Sequence, residues 1–264
     1  MQKKISFEIL ERVYQQYNKR ELVHPDPLEF LFAYKNIQDR EIVGLVASSL
    51  AYGRVAQILK SVNIVLMPME GSPADFILSH SKNDFEKIYS GFKHRFTTSE
   101  DLVNFLCGIK FVVSEYGSLE NCMAMGLDPA DETLSEALNL FVEKLKLPAK
   151  IKTSSLLPNP SLSSACKRLY LFLRWMIRSD EVDPGGWHGI SAAKLIVPLD
   201  THMFHFGTFY GFTSRKSADA AAAKEITAGF KSLCPDDPVK YDFALTRFGI
   251  RNDLNWGMLD ELLT

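Results

Sequence analysis

The sharpest chemical feature of this chain is a carboxylate at the head of a helical segment. It lies in Val197-Pro198-Leu199-Asp200-Thr201-His202-Met203, where an extended apolar stretch runs into helical spacing. An N-cap Asp accepts backbone N–H bonds, and the helix dipole stabilises its negative charge. Capping is the ordinary role of such a residue. A second use is open to it: a fixed negative charge in front of a helix can stabilise a cation that develops during bond cleavage. His202 and His205 share the same helical face, so D-x-H-x-x-H could in principle offer three metal donors. No H-E-x-x-H or other complete ligand set accompanies them, and neither a metal nor any other cofactor is expected. Cys107, Cys122, Cys166 and Cys234 are scattered, with no C-x-x-C pair. They read as free thiols of a reducing compartment rather than zinc or iron–sulfur ligands.

Charge bounds the partners. Thirty Lys and Arg against 32 Asp and Glu give a net charge of -2, so no global attraction to nucleic acid exists and any such site must be a local patch. One candidate patch is visible. Lys144, Lys146, Lys150, Lys152, Lys167, Arg168, Arg174 and Arg178 occur with no acidic residue between Lys144 and Ser179. That run is either an ordinary solvated surface or a phosphate-binding one. The N-terminal residues lack the apolar core of a signal peptide, and stretches such as IVGLVASSLAYG are too short to span a bilayer. A cytoplasmic, membrane-free, monomeric protein is expected.

The string around Asp200 resembles the V-D-T-H-V segment of the helix-hairpin-helix DNA glycosylase superfamily. In that superfamily the matching Asp is the catalytic carboxylate facing the deoxyribose of an extruded nucleotide. Residues 206–213, FGTFYGFT, are similar to the R-x-x-x-R-L-G-L-T stretch that follows, without its arginines. Residues 237–249, DPVKYDFALTRFG, look like the later helix beneath the site, and EIVGLVASSLAYGRVAQILKSV is laid out like the superfamily's first helix pair. The resemblance covers roughly residues 38 to 250 and is strongest around Asp200. It implies that Lys167, at the start of the helix after the hairpin, is the lysine that attacks C1′ in members with lyase activity. Here Leu157-Pro158 stands where the motif reads L-P-G-x-G, and Asn159 to Ser164 replace the hairpin glycines whose backbone N–H groups would approach a phosphate. The Lys167–Asp200 spacing is closer to the archaeal branch that acts on 8-oxoguanine. A bacterial family whose hallmark is K-R-L-x-x-F-L-R-W-M-I-R followed by P-L-D-T-H is similar along the whole chain.

Chemistry on a base requires taking it out of the stack. Trp175, Trp187 and Tyr210 are the candidates to hold a flipped base. Arg168, Arg174, Arg54 and Arg95 are the candidates for phosphate contact.

These residues must be positioned by helices, since the apolar spacing is helical nearly throughout and no strand pattern stands out. Ser6 is a plausible cap of the first helix. Asp39 is expected to cap a long helix ending near Gly53. Thr98 with Asp101, and Thr133 with Glu136, read as capping boxes. Gly117 stops the helix that starts near Thr98, and Asp237-Pro238 is expected to launch a late helix. No internal repeat is present. The expected fold is all-α: a single bilobal unit with a cleft, one lobe being residues 38–195 with a hairpin-like region near 156–178, the other 1–37 plus 198–264.

The expected function is a base-excision repair glycosylase, with or without AP-lyase activity, acting on a damaged purine such as 8-oxoguanine in double-stranded DNA. Two other classes fit the same residues: a non-catalytic DNA-binding module of the same fold, and a helical protein-interaction scaffold.

Overall fold

The computed structural model describes residues 5–151, 154–251 and 253–262; Lys152 of the basic run lies outside them. The fold is all-α. Its helices are α1 (Phe7–Tyr17), α2 (Ile37–Ser49), α3 (Val55–Leu66), α4 (Pro73–Ser79), α5 (Lys82–Ile88), α6 (Ser99–Tyr116), α7 (Leu119–Ala124) and α8 (Ser135–Lys146). After these come α9 (Lys167–Ile177), α10 (Thr201–Phe209), α11 (Ala220–Lys231), α12 (Asp242–Ile250) and α13 (Trp256–Leu262). A small antiparallel hairpin, which the sequence pattern did not announce, pairs β1 (Lys93–His94) with β2 (Thr97–Thr98).

The chain divides into two compact units. The middle unit is Pro25–Ser161 with Gly186–Ile190, and the terminal unit is Met1–His24, Leu162–Gly185 and Ser191–Thr264. The stretches that leave their expected lobes are 25–37 and 162–195, apart from 186–190. The 3-10 turn of Pro27–Ala33 packs on α2. Helix α9 joins the terminal unit because its arginines are consumed by carboxylates there, as described below.

Helix α6 is the axis of the middle unit, packing on α4, α5, α7 and α8. It starts with the capping box of Thr98 and Asp101 and ends at Gly117, which adopts φ 81°. Gly108 lets α8 come close, since a Cβ there would lie 2.0 Å from the Leu145 carbonyl oxygen. The second expected box does not form: α8 begins after Leu134 with no side-chain cap, and the Thr133 hydroxyl turns to Ser135 instead. Asp39 does not cap α2, where Asn36 takes that place. The Asp39 carboxylate is buried and accepts from Ser72 Oγ and Ala74 N, both at 2.9 Å, so it satisfies the start of α4.

A buried carboxylate organises the rest of this unit. Glu41 on α2 accepts from Leu119 N at 2.7 Å, from Glu120 N at 3.2 Å and from Trp187 Nε1 at 2.9 Å. It thereby ties α2 to the first turn of α7 and to the 186–190 segment. Burial pushes its pKa up to about 7 even though all three donors favour the charged form. Glu41→Ala would leave three donors without a partner in the interior. It is expected to lower stability by about 3 kcal/mol, read from urea denaturation. A midpoint within error of the parent would mean that the clasp is dispensable.

Candidate active site

In the terminal unit Asp200 is the N-cap of α10, with backbone in the extended region and Oδ1 accepting from Met203 N at 2.8 Å. Its other oxygen, Oδ2, lies 3.3 Å from Lys167 Nζ. Lys167 is the first residue of α9, and it comes to Asp200 from a separate stretch of chain. The lysine side chain is 36% exposed and the aspartate 12%, so the pair is half-buried and reaches solvent from the lysine side.

The backbone that delivers Lys167 is constrained. Cys166, just before it, is buried and holds φ 46°, the left-handed region that a side-chain-bearing residue enters at a cost. The approach segment is tied to the start of α11, through a bridge between Ser164 and Asp219 and through Ala220 N donating to Ser163 O at 2.9 Å.

The C-terminal half of α9 is anchored by two buried arginines. Arg174 donates through Nε to Asp183 Oδ1 at 3.2 Å and through its terminal nitrogen to Asp242 of α12. Arg178 binds Asp183, Asp237 through Oδ2 at 2.8 Å and Asp180 through Oδ2 at 2.8 Å. Asp180 also accepts from Tyr14 Oη of α1 at 2.9 Å. Burial alone would push the Arg178 guanidinium down, but Asp183, Asp237 and Asp180 outweigh it and hold the group well above its ordinary value. Asp183, fully enclosed, is pushed up by burial against the pull of both arginines.

Asp242 extends this network toward the Lys167–Asp200 pair. Burial pushes its carboxyl up to about 6; Arg174 and Lys167 pull it down, and the negative charge of Asp200 pushes it further up. Its second oxygen is buried with no hydrogen-bond partner among the described residues. The site is therefore an amine paired with Asp200, with the buried Asp242 close enough to feel the charge of both. Its N-cap carboxylate can stabilise positive charge in front of α10.

The family whose pattern spans residues 26–251 carries the description "Protein of unknown function (DUF2400)". The chain belongs to DUF2400. No curated protein and no solved structure matches it.

In this DUF2400 chain the other expected site residues separate. Arg174 is 3% exposed and spent on Asp183 and Asp242, so it is not a phosphate contact. Trp175, Trp187 and Tyr210 are buried and do not form an open base pocket. Trp175 lies on the buried face of α9, Trp187 donates to Glu41, and Tyr210 packs on Phe206 at 4.6 Å between ring centroids. Arg168 is half-buried beside Lys167, while Arg54 and Arg95 are exposed in the middle unit. The basic run does not make one continuous surface either. Lys146, Arg174 and Arg178 are buried, and the run is divided between the two units.

His202 and His205 face Trp256 of α13, at centroid distances of 6.0 Å and 5.7 Å. Among the described residues no group of three or more His, Cys, Asp or Glu is placed to hold a metal ion. None of the helices searched is long and apolar enough to cross a membrane.

Sequence reasoning missed Asp242. Its signal was an acid in D-F-A-L-T-R, an otherwise apolar helical run, where a buried charge needs a buried partner. Asp237 was expected to cap a helix, but that helix begins only at Asp242, and Asp237 is drawn to Arg178.

The folded-state pKa of Asp242, about 6, lies above its ordinary 3.8. Over that interval the folded state binds more protons than the unfolded one. Its contribution to stability is therefore fully present below about pH 4 and falls as pH rises toward 6. Asp242→Asn is expected to flatten this decline, on the order of 3 kcal/mol, in urea titrations across the same range. An unchanged slope would show that the carboxyl ionises normally in the fold.

Proposed function

We propose that this protein is a DNA base-excision enzyme in which Lys167 is the nucleophile and Asp200 the catalytic carboxylate. One observation supports the reading above all: a lysine at a helix start and an aspartate at a helix N-cap, remote in sequence, lie 3.3 Å apart. That arrangement agrees with the helix-hairpin-helix glycosylase resemblance read from the residues around Asp200.

The chemistry follows from the geometry. The Lys167 ammonium gives up a proton to solvent while Asp200 stays ionised, and the neutral amine attacks C1′ of an extruded nucleotide. As the new N–C1′ bond forms, the glycosidic bond breaks; its electron pair leaves with the base, which takes up a proton. The negative charge fixed at α10 stabilises the cationic sugar on the way. Opening of the sugar ring then gives a Schiff base between Lys167 Nζ and C1′, from which a lyase step can proceed. The buried Asp242, which feels the charges of Lys167 and Asp200, supplies a second acidic group to the same network. A damaged purine such as 8-oxoguanine in double-stranded DNA is the substrate we assign.

Borohydride trapping on duplexes carrying 8-oxoguanine or an abasic site tests this. Wild type is expected to form a covalent adduct, and Lys167→Gln none. Asp200→Asn is expected to slow base release by roughly a hundredfold or more. Loss of the hairpin glycines favours a second reading, a binding module without turnover. Salt-sensitive binding to damaged DNA that is unchanged in Asp200→Asn, with neither trapping nor base release in wild type, would select it.

A further inference from the structure

The hairpin of the middle unit carries a feature the site does not use. Its register pairs Lys93 with Thr98 and His94 with Thr97, leaving Arg95 and Phe96 as a two-residue turn. Such turns favour Gly or Asn because they need positive φ; here Arg95 takes φ 54°. Phe96 is 62% exposed, yet it is not loose. Its ring stacks on Tyr52 at 4.9 Å between centroids and 21° between planes.

The turn is held from several sides. Tyr52 Oη donates to His94 O at 3.0 Å and also contacts Thr97 Oγ1. The buried His94 ring contacts Ser61 Oγ through Nδ1 at 2.8 Å and Tyr52 O through Nε2 at 3.0 Å. Thr97 Oγ1 meets Ser155 Oγ at 2.7 Å. The Arg95 stem lies across Gly53, where an added Cβ would be 2.9 Å from Arg95 Cδ.

Basic residues outnumber acidic ones around the turn, with the Asp101 carboxylate committed to Thr98. No acidic residue occurs between Glu41 and Glu70 or between Glu86 and Glu100, whereas Arg54, Lys60, Lys87, Lys93 and Arg95 do. Lys60 and Lys93 both line one depression of about 400 Å³ beside the hairpin. In a chain of net charge -2, Lys60, Lys93 and Arg95 thus gather near a rigidly presented aromatic ring, with Arg54 following Gly53, which Arg95 covers.

We propose that the Arg95–Phe96 turn is a DNA contact in which Phe96 stacks on an unpaired base while Arg54, Lys60, Lys93 and Arg95 hold the flanking phosphates. An aromatic ring with cationic neighbours fits an exposed base on a phosphate backbone, because every base offers a π-face and the phosphates need counter-charge. The proposal rests on the reading of the protein as a DNA enzyme and adds where, in the middle unit, the nucleic acid is gripped.

The test uses the full chain and a fluorescein-labelled duplex with a tetrahydrofuran abasic analogue opposite 2-aminopurine. Wild type is expected to bind with a change in 2-aminopurine emission. Phe96→Ala is expected to lose about tenfold in affinity, together with the emission change, and Phe96→Trp to retain both. Lys93→Ala and Arg54→Ala should each reduce the salt slope of binding by about one. Phe96 is exposed, so its loss leaves the core intact.

Lys167 chemistry is scored separately, by borohydride trapping on a single-stranded abasic oligonucleotide. Phe96→Ala binding like wild type overturns the inference, and with Lys167 still trapped the enzyme reading survives. Loss of binding in Phe96→Ala without any Lys167 adduct supports the contact and sinks the enzyme. No DNA binding by wild type, or equal binding to anionic lipid vesicles, overturns the contact.

Discussion

The terminal unit depends on one constraint: two guanidinium groups on α9 that have no water to turn to. Arg174 and Arg178 are buried, and each must find carboxylates in the interior. Asp180 and Asp183 answer that demand from one stretch of chain, Asp237 and Asp242 from another. An arrangement of this kind has few alternatives, because moving any member strands a charge. The helix is thereby fixed along its length, and its first residue, Lys167, is held where the N-cap of α10 can meet it. The strained Cys166 backbone and the tie between Ser163 and Ala220 complete the support from the other end.

The Lys167–Asp200 pair and the buried network differ in kind. Lys167 and Asp200 form a half-buried pair at the edge of the unit, open to solvent on the lysine side. The buried arginines supply rigidity to the helix that carries the lysine. Asp242 links the two, since it binds Arg174 and also feels the charges of Asp200 and Lys167. The middle unit uses the same device on a smaller scale, with Glu41 gathering α7 and Trp187.

Local features were legible in the sequence wherever the competing partner was also local. Ser6, Thr98 with Asp101, and Asp200 each cap the helix that follows them, because the N–H groups they satisfy lie two or three residues away. Gly117 ends α6 in the left-handed conformation for the same short-range reason. Reasoning of that kind failed where a remote group offered more. Asp39 turned to the start of α4 and Asp237 to Arg178, while Trp175, Trp187 and Tyr210 were absorbed into the packing. A basic run reads as one surface in sequence, but its residues were divided between burial and exposure when the chain folded.

Helical class and the position of the helix carrying Asp200 follow from the sequence by itself, because periodicity and capping act within a few residues. Which charges meet does not. The approach of Lys167 to Asp200, the burial of Asp242 against Arg174 and the outward Phe96 were decided only by tertiary structure. These contacts join segments far apart in the chain, and burial, which sets the cost of an unpaired charge, exists only once the core has closed.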